Sequence, residues 1–378
     1  MYKTKLEILK GMKRIAIIGA GPGGNQAAYK LAQEGFDVTV YEEHEVIGKP
    51  VQCTGIVTQP FKELMGNEQS YVVNKIDTIK IFAPDGNAIE FKFKNEDWII
   101  DRTKFDQFLA SRAEKEGAKF LTGHHFLDYS KQGELYKLKI KNKSEIIDVE
   151  ADYIIGADGP MSNVAKKAGL YGERKFFFGV QPIMQLDNKN IIEVYPAKTG
   201  FCWITPISPT KVKAGIAAEE QANTQLKEFM TLRFGADYKQ KILETEGGLV
   251  PVYNPSQKVQ EGNVFLVGDA STAAKATTAG GIIQSLIGAN CVAAAISEKK
   301  NYQKLWNNSL SKEMRISLMM RRMLNKFQDK DYNNLVAWLS APKAKGLLEE
   351  YSSDYPSKFV FKLMMTEPRL LTYVKFLV

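Results

Sequence analysis

Short apolar runs alternate with stretches of helical spacing along the first part of the chain, and their order is informative. Residues 14–18, Arg-Ile-Ala-Ile-Ile, read as a buried strand. They enter the loop Gly19-Ala-Gly21-Pro-Gly23-Gly24, after which residues 25–34 have helical character and Gly35 supplies a stop. Residues 36–41 read as a second strand, ended by Glu42, which completes a strand–helix–strand unit. Residues 74–100 alternate like paired strands about the turn Pro84-Asp85-Gly86, and a helix is predicted over 103–115 with Asp101 or Thr103 as its N-cap. Residues 119–152 read as three short strands. A buried strand at 153–156 runs into Ala157-Asp158-Gly159.

From 176 to 218 the pattern is again that of a sheet. A buried strand at 264–267 leads to Gly268-Asp269, and a helix rich in Ala, Ile and Gly is expected over 281–296. Residues 302–378 are helical in character and carry no internal repeat. Nucleotide-type segments therefore interleave with sheet segments. The expected organisation is a discontinuous nucleotide-binding domain (12–70, 100–175 and 256–300), a sheet domain for substrate (71–99 and 176–255) and a C-terminal helical region (301–378).

Composition narrows this picture. The chain of 378 residues is 44% hydrophobic and 25% charged, as in an ordinary globular protein. It has no apolar run of the roughly 18 residues that a membrane span needs. The first 11 residues lack a signal-type apolar core and read as a short arm before Met12. Cys53, Cys202 and Cys291 are odd in number and have no CxxC spacing, which argues against a disulfide framework and fits a reducing cytoplasm. With only His44, His124 and His125 as imidazoles, neither a histidine-rich metal centre nor a serine–histidine triad has much to build on, and no metal is expected. Of the net charge of +8, residues 301–378 hold most, with 13 Lys/Arg against 7 Asp/Glu. No nucleic-acid module accompanies them, so an anionic membrane surface is the expected partner of that region. Half of the 12 methionines also lie there, and Arg315, Arg321, Arg322 and Lys326 are interleaved with Ile316, Leu318 and Leu324. That pattern suits an interfacial helix, and equally a packed helix with solvated arginines.

The glycine loop has a mechanical reading. Gly19 allows the tight turn, Gly21 lets backbone approach a pyrophosphate, and Gly24 lets helix and strand pack closely. The helix N-terminus offers unpaired N–H groups to the phosphates, and Glu42 can accept hydrogen bonds from an unphosphorylated ribose, as in NAD or FAD.

Further along, Asp158 with Ser162, Gly268-Asp269-Ala270, and Lys275-Ala-Thr277-Thr278-Ala-Gly280-Gly281-Ile282 resemble elements of the large FAD-dependent family of aromatic hydroxylases, and more closely of its geranylgeranyl reductases. Ala276 and Ala279 stand where the reductases' loop has a proline and a glycine. The resemblance implies an α/β fold with a Rossmann-like FAD-binding domain of hydroxylase type, interleaved with an antiparallel-sheet substrate domain. It implies FAD contacts from Gly23, Cys53, Thr54, Arg102, Phe126 (mainly through its backbone), Asp158, Asp269, Gly281 and Ile282, besides Gly19, Gly21, Gly24 and Glu42. Gly200-Phe201-Cys-Trp203-Ile-Thr-Pro206 resembles the reductases' tunnel-lining element, so Phe201, Trp203 and Pro206 are the expected substrate contacts.

The implied reaction saturates C=C bonds of prenyl (geranylgeranyl) chains on isoprenoid lipids or diphosphates, with hydride from reduced flavin and a proton from a donor. Cys53, a water and a tyrosine are equally admissible as that donor. NAD(P)H or a ferredoxin-like protein would supply electrons, and the protein would be cytoplasmic or peripheral on the membrane. Two alternatives stay open: an FAD-dependent monooxygenase or halogenase on this fold, and a non-catalytic lipid-binding flavoprotein. A halogenase would hold a lysine between flavin and substrate, and sequence alone places none there.

Overall fold

The computed structural model describes residues 12–377; the expected N-terminal arm lies outside them. A six-stranded sheet is built in the order Gln260–Glu261, Val264–Leu266, Tyr153–Gly156, Arg14–Ile18, Asp37–Tyr41 and Lys119–Leu121, parallel throughout except at its first pair. Its central strands are continuous apolar runs because both faces are covered. Ile15 and Ile17 point to one side, into a core shared with Ala27, Leu31, Ala289 and Val292 of the helices Pro22–Gln33 and Ile282–Ser297. Ala16 and Ile18 point to the other, against Leu138 and Ile140 of a three-stranded antiparallel sheet.

That small sheet corrects the strand count expected for 119–152. Four strands form there, and the first, Lys119–Leu121, belongs to the parallel sheet beside Asp37–Tyr41. Gly123, at φ +68°, turns the chain before His124–Gln132, Leu135–Asn142 and Glu145–Ala151 pair among themselves. A left-handed glycine with so short a strand ahead of it leaves little periodicity to read.

The large sheet has eight strands in the order Ile242–Pro251, Phe176–Gln185, Lys211–Ala218, Gly200–Ser208, Ile192–Ala197, Val72–Phe82, Ala88–Ile100 and Ile56–Val57. All its neighbours are antiparallel except Ile192–Ala197 with Val72–Phe82. On one face Cys202, Ile204, Val212, Ala214 and Ile216 pack against Leu226 and Met230 of the helix Ala222–Phe234. Burial pushes the Cys202 thiol up to about 12, which makes it an inert core side chain.

The helix Arg102–Lys115 starts at Asp101, whose carboxylate accepts from the Lys104 N–H at 3.0 Å. From Tyr302 on, the described chain is helical through Pro368–Leu377. Met314 and Leu318 of Lys312–Leu324 enter the core of the parallel sheet, and Val336 of Asp329–Leu339 packs on Ile89 and Phe91 of the large sheet. The C-terminal helices thus bridge both sheets. No described helix is long and apolar enough to cross a membrane.

Candidate functional site

One cavity of about 1400 Å³ runs between the two large sheets, from the glycine loop to the C-terminal helices. At its first end Gly19 stands at φ +102° with its N–H on Tyr41 O, and a Cβ there would lie 2.4 Å from Ala157 O. A Cβ at Gly24 would meet Gly19 O at 2.0 Å, and one at Gly23 would meet Val267 Cγ1 at 2.7 Å. Gly21 differs, because its Cβ would meet nothing within 4 Å. It is the N-cap of Pro22–Gln33 without a side-chain cap, so first-turn N–H groups open on the cavity.

Glu42 closes this end. Its Oε1 is taken up by His44, N at 3.0 Å and Nδ1 at 2.6 Å, while Oε2 accepts from Ala20 N at 2.7 Å and keeps a second lone pair. Asp158 borders the cavity too, but its oxygens accept from Ser162 Oγ at 2.6 Å and Val164 N at 3.0 Å, at the head of the short helix Asn163–Lys167. Phe126 lies at the cavity edge with its ring buried in the core with Tyr136 and Leu138.

Midway, Asp269 follows Gly268, which sits at φ +65°. No protein donor reaches its carboxylate among the described residues, and burial pushes its pKa up to about 6 against the pull of Arg102 and Arg174. It stands beside the N-terminus of Ile282–Ser297, where a Cβ on Gly281 would be 3.2 Å from Asp269 Oδ1 and no side chain caps the helix. A half-buried carboxylate without a protein donor, next to uncapped helix N–H groups and in one cavity with a second uncapped helix and Glu42, fits an elongated ligand that carries hydroxyls, phosphates and a ring able to take negative charge. FAD has that chemistry.

The loop after the second strand of the parallel sheet crosses here. Arg102 makes a bidentate pair with Asp106, Nη2–Oδ2 2.9 Å and Nε–Oδ1 3.2 Å, both side chains largely buried. Burial opposes its charge, but Asp106 and the neighbouring Cys53 sulfur outweigh that and raise the guanidinium above its ordinary range. The Cys53 sulfur also accepts from Gly55 N at 3.4 Å. Thr54 Oγ1 donates to Gln181 Oε1 at 2.7 Å, Gln181 Nε2 to Glu246 at 2.7 Å, and Lys213 Nζ to both Glu246 at 2.7 Å and Cys53 O at 3.1 Å.

Gln181, Lys213 and Glu246 were not read from sequence. The available signal was a polar residue within an apolar strand, Val180-Gln181-Pro182 and Val212-Lys213-Ala214.

The far end is apolar, lined by Ile79, Ile81, Phe91 and Phe93 on the large sheet and by Leu335, Val336 and Phe359 of the tail. Phe201 and Trp203 also line the cavity, with ring centroids 5.6 Å apart. Gly215 lets Trp203 lie flat on the neighbouring strand, since a Cβ there would be 2.6 Å from its ring. Pro206 is a correction. It is not among the lining residues, because the two-residue strand period turns it to the face of Cys202 and Ile204.

Arg321 is a second correction. Instead of a solvated or lipid-facing arginine it is 3% exposed and donates to Ala276 O (3.0 Å), Thr277 O (3.0 Å) and Gly200 O (3.2 Å). Ser317 donates to or accepts from Thr277 Oγ1 at 2.9 Å. The tail therefore clamps the loop 275–282.

In that loop Ala279 occupies the left-handed region at φ +54°, donating to Lys275 O. That conformation costs an alanine roughly 1–2 kcal/mol, and glycine's extra unfolded-chain entropy returns about 0.5–1 kcal/mol. Ala279→Gly should therefore raise stability by about 0.5–1 kcal/mol in urea unfolding. A lower midpoint in the variant would contradict strain at this turn.

Among the described residues no cluster of His, Cys, Asp and Glu could hold a metal ion.

The FAD binding domain family matches residues 89–286, and an NAD(P)-binding Rossmann-like domain matches residues 17–55. The chain is similar to the digeranylgeranylglycerophospholipid reductase of Methanocaldococcus jannaschii, 28% identical over 96% of this chain and 97% of that one. It is similar to the enzyme of the same name from Methanothrix thermoacetophila, 28% identical over 85% and 90%. In fold it is similar to a geranylgeranyl bacteriochlorophyll reductase-like protein from Thermoplasma acidophilum (TM-score 0.83, 21% identity, 97% of this chain and 100% of that one). A flavin-dependent halogenase shares the fold at TM-score 0.68, with 19% identity over 96% of this chain and 77% of its own.

Proposed function

The chain belongs to the FAD binding domain family, and from that premise we infer that it is an FAD-dependent reductase saturating C=C bonds of prenyl chains on isoprenoid lipids. The observation that carries this reading is the single cavity joining the glycine-loop cradle to an apolar arm walled by aromatic side chains. The curated relatives' names support the geranylgeranyl lipid as the substrate class.

Bound FAD supplies the two electrons and one of the two hydrogens that each saturated bond takes up. The protein's part is binding, orientation and exclusion of water. First-turn N–H groups at Gly21–Gly24 would hold the pyrophosphate, and Glu42 would accept from the adenosine ribose. Asp269 would accept from a hydroxyl of the ribityl chain, which relieves the cost of its burial. The N-terminus of Ile282–Ser297 would stabilise negative charge on the flavin ring. Arg102 and the Thr54–Gln181–Glu246–Lys213 chain fix the Cys53 loop beside it. Phe201 and Trp203 would hold the alkene, and each CH₂ of the prenyl chain buried beyond them contributes about 0.8 kcal/mol. Isolated alkenes are poor electrophiles, so this positioning carries much of the catalysis.

Of the five lysines that line the cavity, Lys275 is the one in the 275–282 loop, and its ion pair with Asp354 at 2.7 Å weighs against a free halogenase-type lysine at that position. The helix Pro356–Thr366 and the segment after it expose Phe361 (71%), Met365 (68%) and Leu371 beside Lys358, Lys362 and Lys375. We assign this face to an anionic bilayer, next to the cavity end that Phe359 lines.

One anaerobic experiment tests both points. The flavin is reduced chemically and geranylgeranyl lipid is added in anionic or in zwitterionic vesicles. Flavin reoxidation with a gain of two hydrogens per double bond is expected, faster on the anionic vesicles. Absence of reoxidation across several prenyl lengths and head groups would sink the reductase reading. Equal rates on both vesicles would sink the membrane face.

A further inference from the structure

Asp97 sits on the strand Ala88–Ile100, beside the Trp98–Val57 pair that joins this strand to Ile56–Val57. It is 8% exposed, and what remains open faces the cavity, whose wall it shares with Thr58 and Lys275. Among the described residues its carboxyl has no hydrogen bond and no ion pair; it feels neighbours only through charge.

The cation that could neutralise it is taken. Lys275 Nζ lies 2.7 Å from Asp354 Oδ1, and Asp354 also accepts from Gln284 Nε2 at 3.1 Å and from Thr58 Oγ1. Burial alone would raise the Asp354 pKa, but Lys275 and these donors outweigh it and hold it ionised below its ordinary range. Asp354 thus holds the nearby ammonium, and the carboxyl without a partner is the one that gives up its proton less readily. Lys62 is the other cation facing Asp97, and its ammonium is engaged over the Trp98 ring and with Glu96 O. Lys75, on the paired strand, also lies over that ring. Burial first, and Asp354 second, push the Asp97 pKa up to about 7.

The cluster also adjoins the loop 275–282 and the helix proposed above to face the flavin ring. The Lys275 side chain passes under Gly280, and Gln284 is in the first turn of Ile282–Ser297, whose uncapped N-terminus opens there. The same strands carry Ile79, Ile81, Phe91 and Phe93 to the apolar arm.

We propose that Asp97 is the acid that protonates the alkene, a proposal that rests on the reductase reading above. As one carbon of the double bond takes the proton, the Asp97 O–H bond breaks and a C–H bond forms from the π pair. Reduced flavin would supply the other carbon with a hydrogen and two electrons, and Asp97 is left as a carboxylate that regains its proton from solvent. A largely buried carboxyl without a hydrogen-bond partner is suited to this step, because its acid form meets the alkene with little competing solvation.

The test uses full-length, flavin-loaded protein and its Asp97→Asn and Asp97→Glu variants. Wild type should reoxidise its reduced flavin on geranylgeranyl lipid at a rate that falls as pH rises through about 7, since the acid form is required. Asp97→Asn should slow that step by at least about 100-fold, with flavin stoichiometry unchanged, and Asp97→Glu should restore part of it. Without substrate, wild type should show an infrared carbonyl band of a protonated carboxyl at pH 6 that disappears by pH 9 and is missing in Asp97→Asn. A wild-type rate in Asp97→Asn, or no titrating band, would overturn the assignment while leaving the reductase reading intact. Failure of wild type itself to reoxidise would remove both.

Discussion

Replacing Gly24 by alanine is expected to abolish flavin retention and to destabilise the chain by about 3 kcal/mol or more. The added Cβ would sit 2.0 Å from Gly19 O and 3.1 Å from the Ala157 Cβ. Neither contact is with a flexible side-chain end, so strand, loop and helix must separate. That separation would carry the first-turn N–H groups away from the cavity and open the core in which Ala27 and Leu31 meet Ile15 and Ile17. Gly21→Ala is the informative contrast. Its Cβ meets nothing within 4 Å and its φ is −74°, so the fold should tolerate it while the methyl enters the open space proposed above for the pyrophosphate. Thermal unfolding and the ratio of flavin to protein absorbance separate the two. Retained flavin in Gly24→Ala, or a lowered melting temperature in Gly21→Ala, would contradict these roles.

Arg102→Met should cost about 3–5 kcal/mol, the expected penalty for leaving a buried partner charge behind. Asp106 is 3% exposed, and the guanidinium is its bidentate partner. With Arg102 gone, burial would hold the Asp106 pKa in the folded chain above its unfolded value. The loss is then small below the ordinary carboxylate range, where Asp106 is protonated in both states, and grows as pH rises through the folded value. The variant should lie nearer wild type at pH 4 than at pH 8. Asp106→Asn leaves the guanidinium buried without its counter-charge at both pH values, so its loss should depend little on pH. Urea unfolding at the two pH values measures this, and a pH-independent loss in Arg102→Met would refute the buried-charge account.

Much of the first half of the cavity was legible along the chain. Gly19 and Gly24 answer local sterics, a tight turn and a close helix, while Gly21 faces open space and Glu42 stands at a strand end, all within 24 residues of one another. Such features leave a pattern because neighbouring residues must satisfy them together. The parallel strands were equally plain, since burial on both faces demands continuous apolar runs. Lys119–Leu121 was harder. Three residues carry no period, and only pairing with Asp37–Tyr41 assigns them to the parallel sheet.

Other features have no local signature. Arg321 occupies a polar position of an amphipathic helix, yet tertiary packing buries it against the carbonyls of Gly200, Ala276 and Thr277. Pro206 belongs to a motif whose neighbours line the cavity, and strand alternation turns it away. Thr58 meets Asp354 across 296 positions, and Lys275 meets it from another segment again.

What the sequence by itself determined is the dinucleotide cradle and the alternation of layers, because both follow from backbone geometry and burial over short stretches. Which charges are paired, which carboxyl is left without a partner and which tail residues line the cavity were decided only by the tertiary structure. Those properties depend on desolvation and on the distance between residues that the chain itself holds far apart.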